Sequence, residues 1–346
     1  MNAQPNVRFS VIGINHGHIF GQVNLMLRAG AQFVSFYAKE PDLAAQFGER
    51  YPQARLAGSA QEILEDESIQ IVLSAAIPCE RGPLGVAVMR HGKDYMSDKP
   101  GFTSLAQLEE ARRVQAETGQ IYSICYSERL ENPASVRVGQ LIQVGAIGQV
   151  VQTIGMGPHR TSLHSRPQWF YERDKYGGII ADIGSHQMDQ FLYFTGSTSA
   201  EVVSSQVANY KHPQHPGFED FGEAMLRSDK ATGYVRVDWF TPDGLDTWGD
   251  GRLFVLGTEG YIEARKYTNV ASGKPGGNHL FWVDHQGMHY EDCSGVDLPY
   301  GRQLVYDIIN RTDTAMNQAH CFLASELALR AEAQAARLGN LQPLEA

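Results

Sequence analysis

Short apolar runs alternate with longer amphipathic segments over the first third of the chain. Residues 7–14 (VRFSVIGI) have the length and character of a buried strand and end at the Gly13 turn. Residues 32–38 (QFVSFYA), 69–77 (IQIVLSAAI), 94–97 and 121–126 repeat that signature. Between them, 41–51, 84–91 and 105–118 show helical spacing, the last two closed by Gly92 and Gly119. Strands alternating with helices predict βαβ units and a parallel sheet. Beyond residue 126 the pattern changes. A helix over 134–144 stops at Gly145-Ala146-Ile147-Gly148, and a strand over 150–156 follows. Strand alternation recurs at 202–207 and 233–240, and 253–257 and 261–265 flank a hairpin-like Thr258-Glu259-Gly260. A closing helix over 313–338 carries Leu323, Leu327, Ala331, Ala335 and Leu338 on one stripe. The reading is α/β with two domains, 1–125 and 126–346.

Composition narrows the class. The chain has 346 residues, enough for two domains, and 42% of them are hydrophobic, enough for a core in each. There is no run of 18 apolar residues, and MNAQPNVRFS has no charged-then-apolar leader, so the expected setting is cytoplasmic, without a membrane. The net charge is −10 and no basic cluster exceeds Arg112-Arg113, which argues against nucleic acid. Cys79, Cys125, Cys293 and Cys321 are far apart and form no CxxC pair, so neither a zinc site nor a disulfide framework is expected.

Three stretches carry candidate chemistry. The first is the turn after the first strand. A strand, a glycine and a helix are the setting of a dinucleotide site, where the backbone approaches a pyrophosphate at a helix N-terminus. Counting GxGxxG from Gly13, Asn15 and His18 replace the second and third glycines. Asn15 tolerates a left-handed φ and could keep the turn. The second strand ends in Ala38-Lys39-Glu40 rather than in the acid that holds the ribose of NAD. A small residue plus a cation suits a 2′-phosphate, a slight lean to NADP; Glu40 could instead reach the ribose. The second stretch is Asp98-Lys99-Pro100, at a strand end that faces the ligand crevice of an open α/β sheet. A lysine there can be desolvated into a useful pKa range, and Pro100 raises the chance of a cis peptide. The third is 177–189, GGIIADIGSHQMD. Asp182, His186 and Asp189 sit four and then three apart, which stacks them on one face of an α-helix. Gly184 inside that helix costs about 1 kcal/mol, which suggests a close approach to the backbone. A carboxylate one turn before an imidazole can orient it and raise its basicity. Set against this is an ordinary solvated polar face.

Together these pieces resemble the glucose–fructose oxidoreductase/inositol dehydrogenase (Gfo/Idh/MocA) family. The glycine turn, SDKP, RPQWF at 166–170 and GGIIADIGSHQMD follow in the family's order, from about Val7 to Leu338. The resemblance implies an N-terminal Rossmann dinucleotide-binding domain. It also implies a C-terminal α/β domain with a large, mostly antiparallel, open-faced sheet for substrate binding and oligomerisation. Lys99 matches the lysine of the family's Glu-Lys-Pro motif, with Asp98 in place of Glu; Asp182 and His186 match its aspartate and catalytic histidine. Gly13, Ile14, Asn15, His16, Ala38, Lys39, Ala76, Pro78, Arg81, Asp98 and Lys99 are the expected cofactor residues. Pro78 matches a proline bordering the nicotinamide, whereas Arg81 stands where many members have histidine. Arg129 falls where members place a substrate-contacting basic residue. His159, Arg160 and Trp169 add an aromatic and basic group suited to sugars, so Arg129, His159, Arg160, Trp169 and His186 form the expected substrate set.

The expected activity is NAD(P)-dependent interconversion of a secondary alcohol and a ketone on a sugar, polyol or sugar acid, by a homodimer or homotetramer. His186 serves as base, Asp182 orients it, and Lys99 stabilises charge on the reacting oxygen. Lys99 from one domain and Asp182/His186 from the other must then meet in a cleft. A cofactor-retaining lyase, glycosidase or epimerase is the alternative enzyme, distinguished by whether reduced cofactor accumulates with product. A non-catalytic sugar or dinucleotide sensor is the alternative from another class, distinguished by cofactor binding without turnover.

Overall fold

The computed structural model describes residues 7–274 and 276–341. It divides into two compact units, one formed by the chain up to Cys125 together with Pro299–Phe322, the other by Tyr126–Leu298 and the chain from Leu323 onward. Residues 299–322, which the sequence pattern leaves in the second domain, therefore pack with the first.

The first unit is built on six parallel strands: β1 (Arg8–Ile12), β2 (Gln32–Tyr37), β3 (Arg55–Leu56), β4 (Ile71–Ser74), β5 (Asp94–Asp98) and β6 (Tyr122–Cys125), in the order β3-β2-β1-β4-β5-β6. Strands β4, β5 and β6 are buried along their full length, as a parallel sheet covered on both faces requires. The order reverses at β1, so the crevice beyond the C-terminal ends of β1 and β4 is the binding position that this topology creates. The helix Pro78–Arg90 begins six residues before the expected start, with Pro78 at a position where a missing N–H costs nothing. Residues 299–322 close the unit through a paired Arg311–Asp94 contact at 2.7 and 3.0 Å and a Tyr300–Ser123 hydroxyl bond of 2.6 Å.

The second unit holds a nine-stranded sheet. Its strands are β7 (Val150–Pro158), β8 (Glu201–Asn209), β9 (Phe221–Arg227), β10 (Thr232–Asp238), β11 (Arg252–Gly257), β12 (Tyr261–Arg265), β13 (His279–Asp284), β14 (Gly287–Asp292) and β15 (Ala336–Gly339), in the order β14-β13-β12-β11-β7-β10-β9-β8-β15. Only the β7–β10 and β8–β15 pairs are parallel. One face is covered by the segment from Ile179 to Thr195, seated on glycines of three neighbouring strands: Gly155 against Gln187, Gly233 against Phe191 and Gly222 against Ile179. The other face leaves Met225, Leu256 and Tyr261 exposed in the single chain. The expected closing helix is corrected at both ends. It spans Gln318–Gln334, and Ala336–Gly339, including Leu338, leaves it to pair with β8. An edge strand's unpaired amides and carbonyls are what draw the chain into that pairing.

Candidate active site

In the first unit the dinucleotide turn is fixed from both sides. Gly13 N donates to Tyr37 O at 3.0 Å, and His16 N donates to Ala75 O at 2.9 Å. Gly13 has φ of 82°, and a Cβ there would lie 2.5 Å from Ala76 Cβ, so only glycine fits. The expectation for Asn15 is corrected. Its φ is not positive; instead its side-chain amide donates to Glu40 Oε1 at 2.9 Å. A cavity of about 330 Å³ opens beside the turn, bounded by Gly13, Asn15, Lys39, Glu40, Ala76 and Glu80. Lys39 Nζ lies 2.7 Å from Glu80. The cradle, the cavity and the helix that begins at His18 fit a dinucleotide. Ile14, Ala38 and Pro78 are buried in the strand ends and helix start around it.

At the end of β5, Lys99 is 4% exposed and the Lys99-Pro100 peptide is cis. Arg81, expected to meet cofactor, is 1% exposed and has another task. Its guanidinium donates to the carbonyls of Ala76, Lys99 and Pro100 and lies 3.2 Å from Asp98, tying the turn after β4 to the lysine turn. His18 and His16 approach the same carboxylate at 2.9 and 3.3 Å. Burial alone would raise the Asp98 carboxyl. The charges of His18 and Arg81, with hydrogen bonds from both imidazoles, outweigh it and hold Asp98 well below the usual range. His16, His18 and Asp98 bring three possible ligand atoms within 4.8 Å of one another, a grouping that sequence spacing did not suggest. Arg81 on the same carboxylate and Lys99 next in sequence oppose a divalent ion there.

Burial, reinforced by the neighbouring His18, pushes the His16 imidazole down to about 4. Its folded value lies below the ordinary 6.5, so the associated stability is present above 6.5 and lost as pH falls towards 4. The expected result is a His16 ring resonance that stays neutral in an NMR titration through pH 5; protonation near 6.5 would contradict it.

In the second unit the segment expected as one α-helix is two. Ile180–Gly184 is a π-turn and Ser185–Thr195 an α-helix, so Asp182 sits on a wider turn than α spacing gives. The solvated-face reading does not hold: His186 is 2% and Asp189 0% exposed. The close approach expected at Gly184 is packing, since a Cβ there would meet Ile180 at 3.0 Å and Val235 at 3.8 Å. Arg129 makes two bonds to Asp189, of 2.6 and 2.8 Å, and its guanidinium lies over the Tyr193 ring at 4.3 Å. That guanidinium is committed to holding the helix. Arg166 of RPQWF stacks on Phe170 and Trp239 at 4.5 and 5.0 Å and interacts electrostatically with Asp182. His159 packs against Trp248 at 4.4 Å, and Arg160 donates to the carbonyls of Pro242 and Leu245. Trp169 is half-buried against Phe170.

Sequence reading missed the fully buried pair Glu128–Lys266. Gln187 donates to Glu128 at 2.9 Å, and Lys266 reaches Gln190 at 3.2 Å, whose amide in turn donates to the His186 carbonyl at 3.0 Å. Burial would raise Glu128, but Lys266, then His186 and His159, hold it down at about 2. The adjacent acid and base in Ser127-Glu128-Arg129 are a weak signal for this pair, and Lys266 at a strand end gives none.

Residues 7–126 match the model of the oxidoreductase family with an NAD-binding Rossmann fold, and residues 135–263 match the GFO/IDH/MocA C-terminal domain. The chain belongs to the GFO/IDH/MocA oxidoreductase family. A crystal structure from Erwinia carotovora atroseptica SCRI1043, provisionally assigned as an oxidoreductase, is 44% identical, covers 96% of this chain and 100% of its own, and superposes with a TM-score of 0.94. Levoglucosan dehydrogenase in complex with NADH and levoglucosan shares the fold at 16% identity and a TM-score of 0.77, over 95% of this chain and 96% of its own. The scyllo-inositol 2-dehydrogenase (NADP(+)) of Bacillus subtilis is 23% identical over 44% of this chain and 42% of its own length. Matches to curated relatives span 42–58% of those proteins. The chain thus joins a Rossmann unit to a C-terminal unit with a mixed, largely antiparallel sheet. Among its described residues no helix is long and apolar enough to cross a membrane.

Proposed function

We propose that this oxidoreductase interconverts a secondary alcohol and a ketone on a sugar, polyol or sugar acid with NAD(P), as a cytoplasmic homodimer or homotetramer. One observation carries the reading. Lys99 at the end of β5 and His186 beside the π-turn are both buried, at 4% and 2% exposure. Burial of ionisable side chains is one of the arrangements by which acid–base sites are built. A bound nicotinamide would supply the hydride acceptor for the substrate carbon. His186 takes the hydroxyl proton and returns it in reduction. Asp182 orients the imidazole, and Lys99 hydrogen-bonds the same oxygen as charge develops on it. Arg81 fixes the carbonyls on either side of the cis peptide and so positions Lys99. Arg129 steadies the His186 helix through Asp189. His159, Arg160 and Trp169 shape the loop that receives the sugar.

The sequence lean towards NADP rested on Lys39. Its ammonium faces Glu80 at 2.7 Å, and Glu40 stands beside the cavity on Asn15. Two carboxylates against one ammonium suit a ribose diol better than a 2′-phosphate, so we assign NAD as the preferred cofactor. Fluorescence titration should give tighter binding of NADH than NADPH. Glu40→Ala should weaken NADH by about 1.5–3 kcal/mol, the worth of a hydrogen bond to a charged group. Tighter NADPH binding, strengthened further by Glu80→Ala, would restore the NADP assignment.

A further inference from the structure

The short helix Arg173–Tyr176 ends in Gly177-Gly178, with φ of 90° and 100°. The next three amides, of Ile179, Ile180 and Ala181, open the segment that carries Asp182 and His186. No local side chain caps it. Such amides need partners when buried, and here two carboxyls from distant parts of the chain supply them. Glu219 Oε2 accepts from Ile179 N at 2.8 Å, and Glu332 Oε2 accepts from Ile180 N and Ala181 N at 2.9 and 3.4 Å. Glu219 is 0% and Glu332 3% exposed. Arg173 bridges them, 3.3 Å from Glu219 and 3.1 Å from Glu332, and Arg337 reaches Glu219 at 3.1 Å. A Cβ at Gly178 would lie 2.1 Å from the Glu332 carboxyl, so the second glycine answers to Glu332 as well as to its own φ.

We propose that Glu332 and Glu219 are positioning residues: as a buried acid pair bridged by Arg173, they hold the first turn of the Asp182/His186 segment in its catalytic setting. The proposal rests on the dehydrogenase reading above. A single local Ser, Asp or Asn cap satisfies an ordinary helix start. Burying two carboxyls and an arginine for that purpose is costly unless the geometry itself matters. Burial, then the neighbouring Glu219, raises the Glu332 carboxyl well above the ordinary 4.5 against the opposing pull of Arg173, and the two acids share a hydrogen bond. The groups facing Glu332 are Glu219, Arg173 and the Ile180 amide, with Tyr176 and Arg337 facing Glu219. Because the folded value is raised, the stability contributed by the protonated form is complete below 4.5 and is lost as pH rises through the folded value.

The test compares Glu332→Gln with Glu332→Leu. Glutamine keeps an acceptor for Ile180 and a donor for Glu219 and cannot ionise; leucine removes both. Glu332→Leu should lower kcat by about 100-fold, the scale of a small misplacement of catalytic groups. It should also speed hydrogen exchange at residues 179–181 and leave the NADH dissociation constant unchanged. Glu332→Gln should stay close to wild type in kcat and exchange. Wild-type kcat and exchange in Glu332→Leu, or equal damage in Glu332→Gln, would overturn the proposal. If the leucine variant does not fold, the glutamine variant decides: a loss of kcat with faster exchange at residues 179–181 overturns it. If the wild type turns over no substrate, the dehydrogenase reading fails, and exchange still decides the hold: unchanged exchange in Glu332→Leu overturns it.

Discussion

Lys99→Met and His186→Ala are each expected to lower kcat by about 10²–10⁴-fold, the range of a single general acid–base group, while NADH binding stays near its wild-type strength. The separation follows from where the residues stand. The cavity proposed for the cofactor is bounded by Gly13, Asn15, Lys39, Glu40, Ala76 and Glu80, and neither Lys99 nor His186 is among them. Methionine preserves much of the volume of buried Lys99 and removes only the cation, so packing at the end of β5 survives. Alanine at 186 removes the proton acceptor and leaves the Arg129–Asp189 anchor in place one turn on. Stopped-flow turnover and fluorescence titration read the two quantities separately. Full turnover in either variant removes that residue from the mechanism. Loss of NADH binding in step with kcat would make the residue a cofactor ligand instead.

Arg129→Met should destabilise the protein by about 3–5 kcal/mol, the effect of leaving one member of a buried ion pair alone. Asp189 is 0% exposed and accepts two bonds from this guanidinium. Methionine fills the space over Tyr193 but offers no donor, so the interior carboxylate loses this cation and its two bonds. Replacing both, Arg129→Met with Asp189→Leu, should recover much of the loss, because no charge is then stranded. Urea unfolding of the two single variants and the double variant checks this. Loss of less than about 1 kcal/mol in Arg129→Met, the range of exposed pairs, would show that the pair contributes little.

The parallel strands were legible because burial on both faces leaves continuous apolar runs such as 69–77, and the helix over Leu105–Thr118 follows its predicted bounds. Edge elements were not. β14, GMHYED, is partly or fully exposed along its length, and β3 is two residues long, so neither prints an alternation on the sequence. β15 lay hidden inside an apolar stripe that reads equally well as helix. The candidate site divides in the same way. Lys99, Asp182 and His186 stand in local motifs whose spacing carries meaning. Their supports do not: Arg81 reaches Lys99 across 18 residues, Glu332 reaches Ile180 across 152, and Lys266 reaches Glu128 across 138. Partners this far apart are brought together by topology, and a single sequence records each only as an ordinary charged residue. The GG pair at 177–178 was visible, but the carboxyl that demands the second glycine was not.

Net oxidation of a sugar-type alcohol with matching reduction of the nicotinamide is read most directly from the balance of products. The purified protein should be incubated with NAD and a panel of sugars, polyols and sugar acids, with reduced cofactor and ketone quantified together. At least one substrate is expected to yield NADH and ketone in equal amounts. Product formed without accumulating NADH would instead mark redox-neutral chemistry, and tight cofactor binding without turnover of any substrate would contradict an enzymatic role altogether.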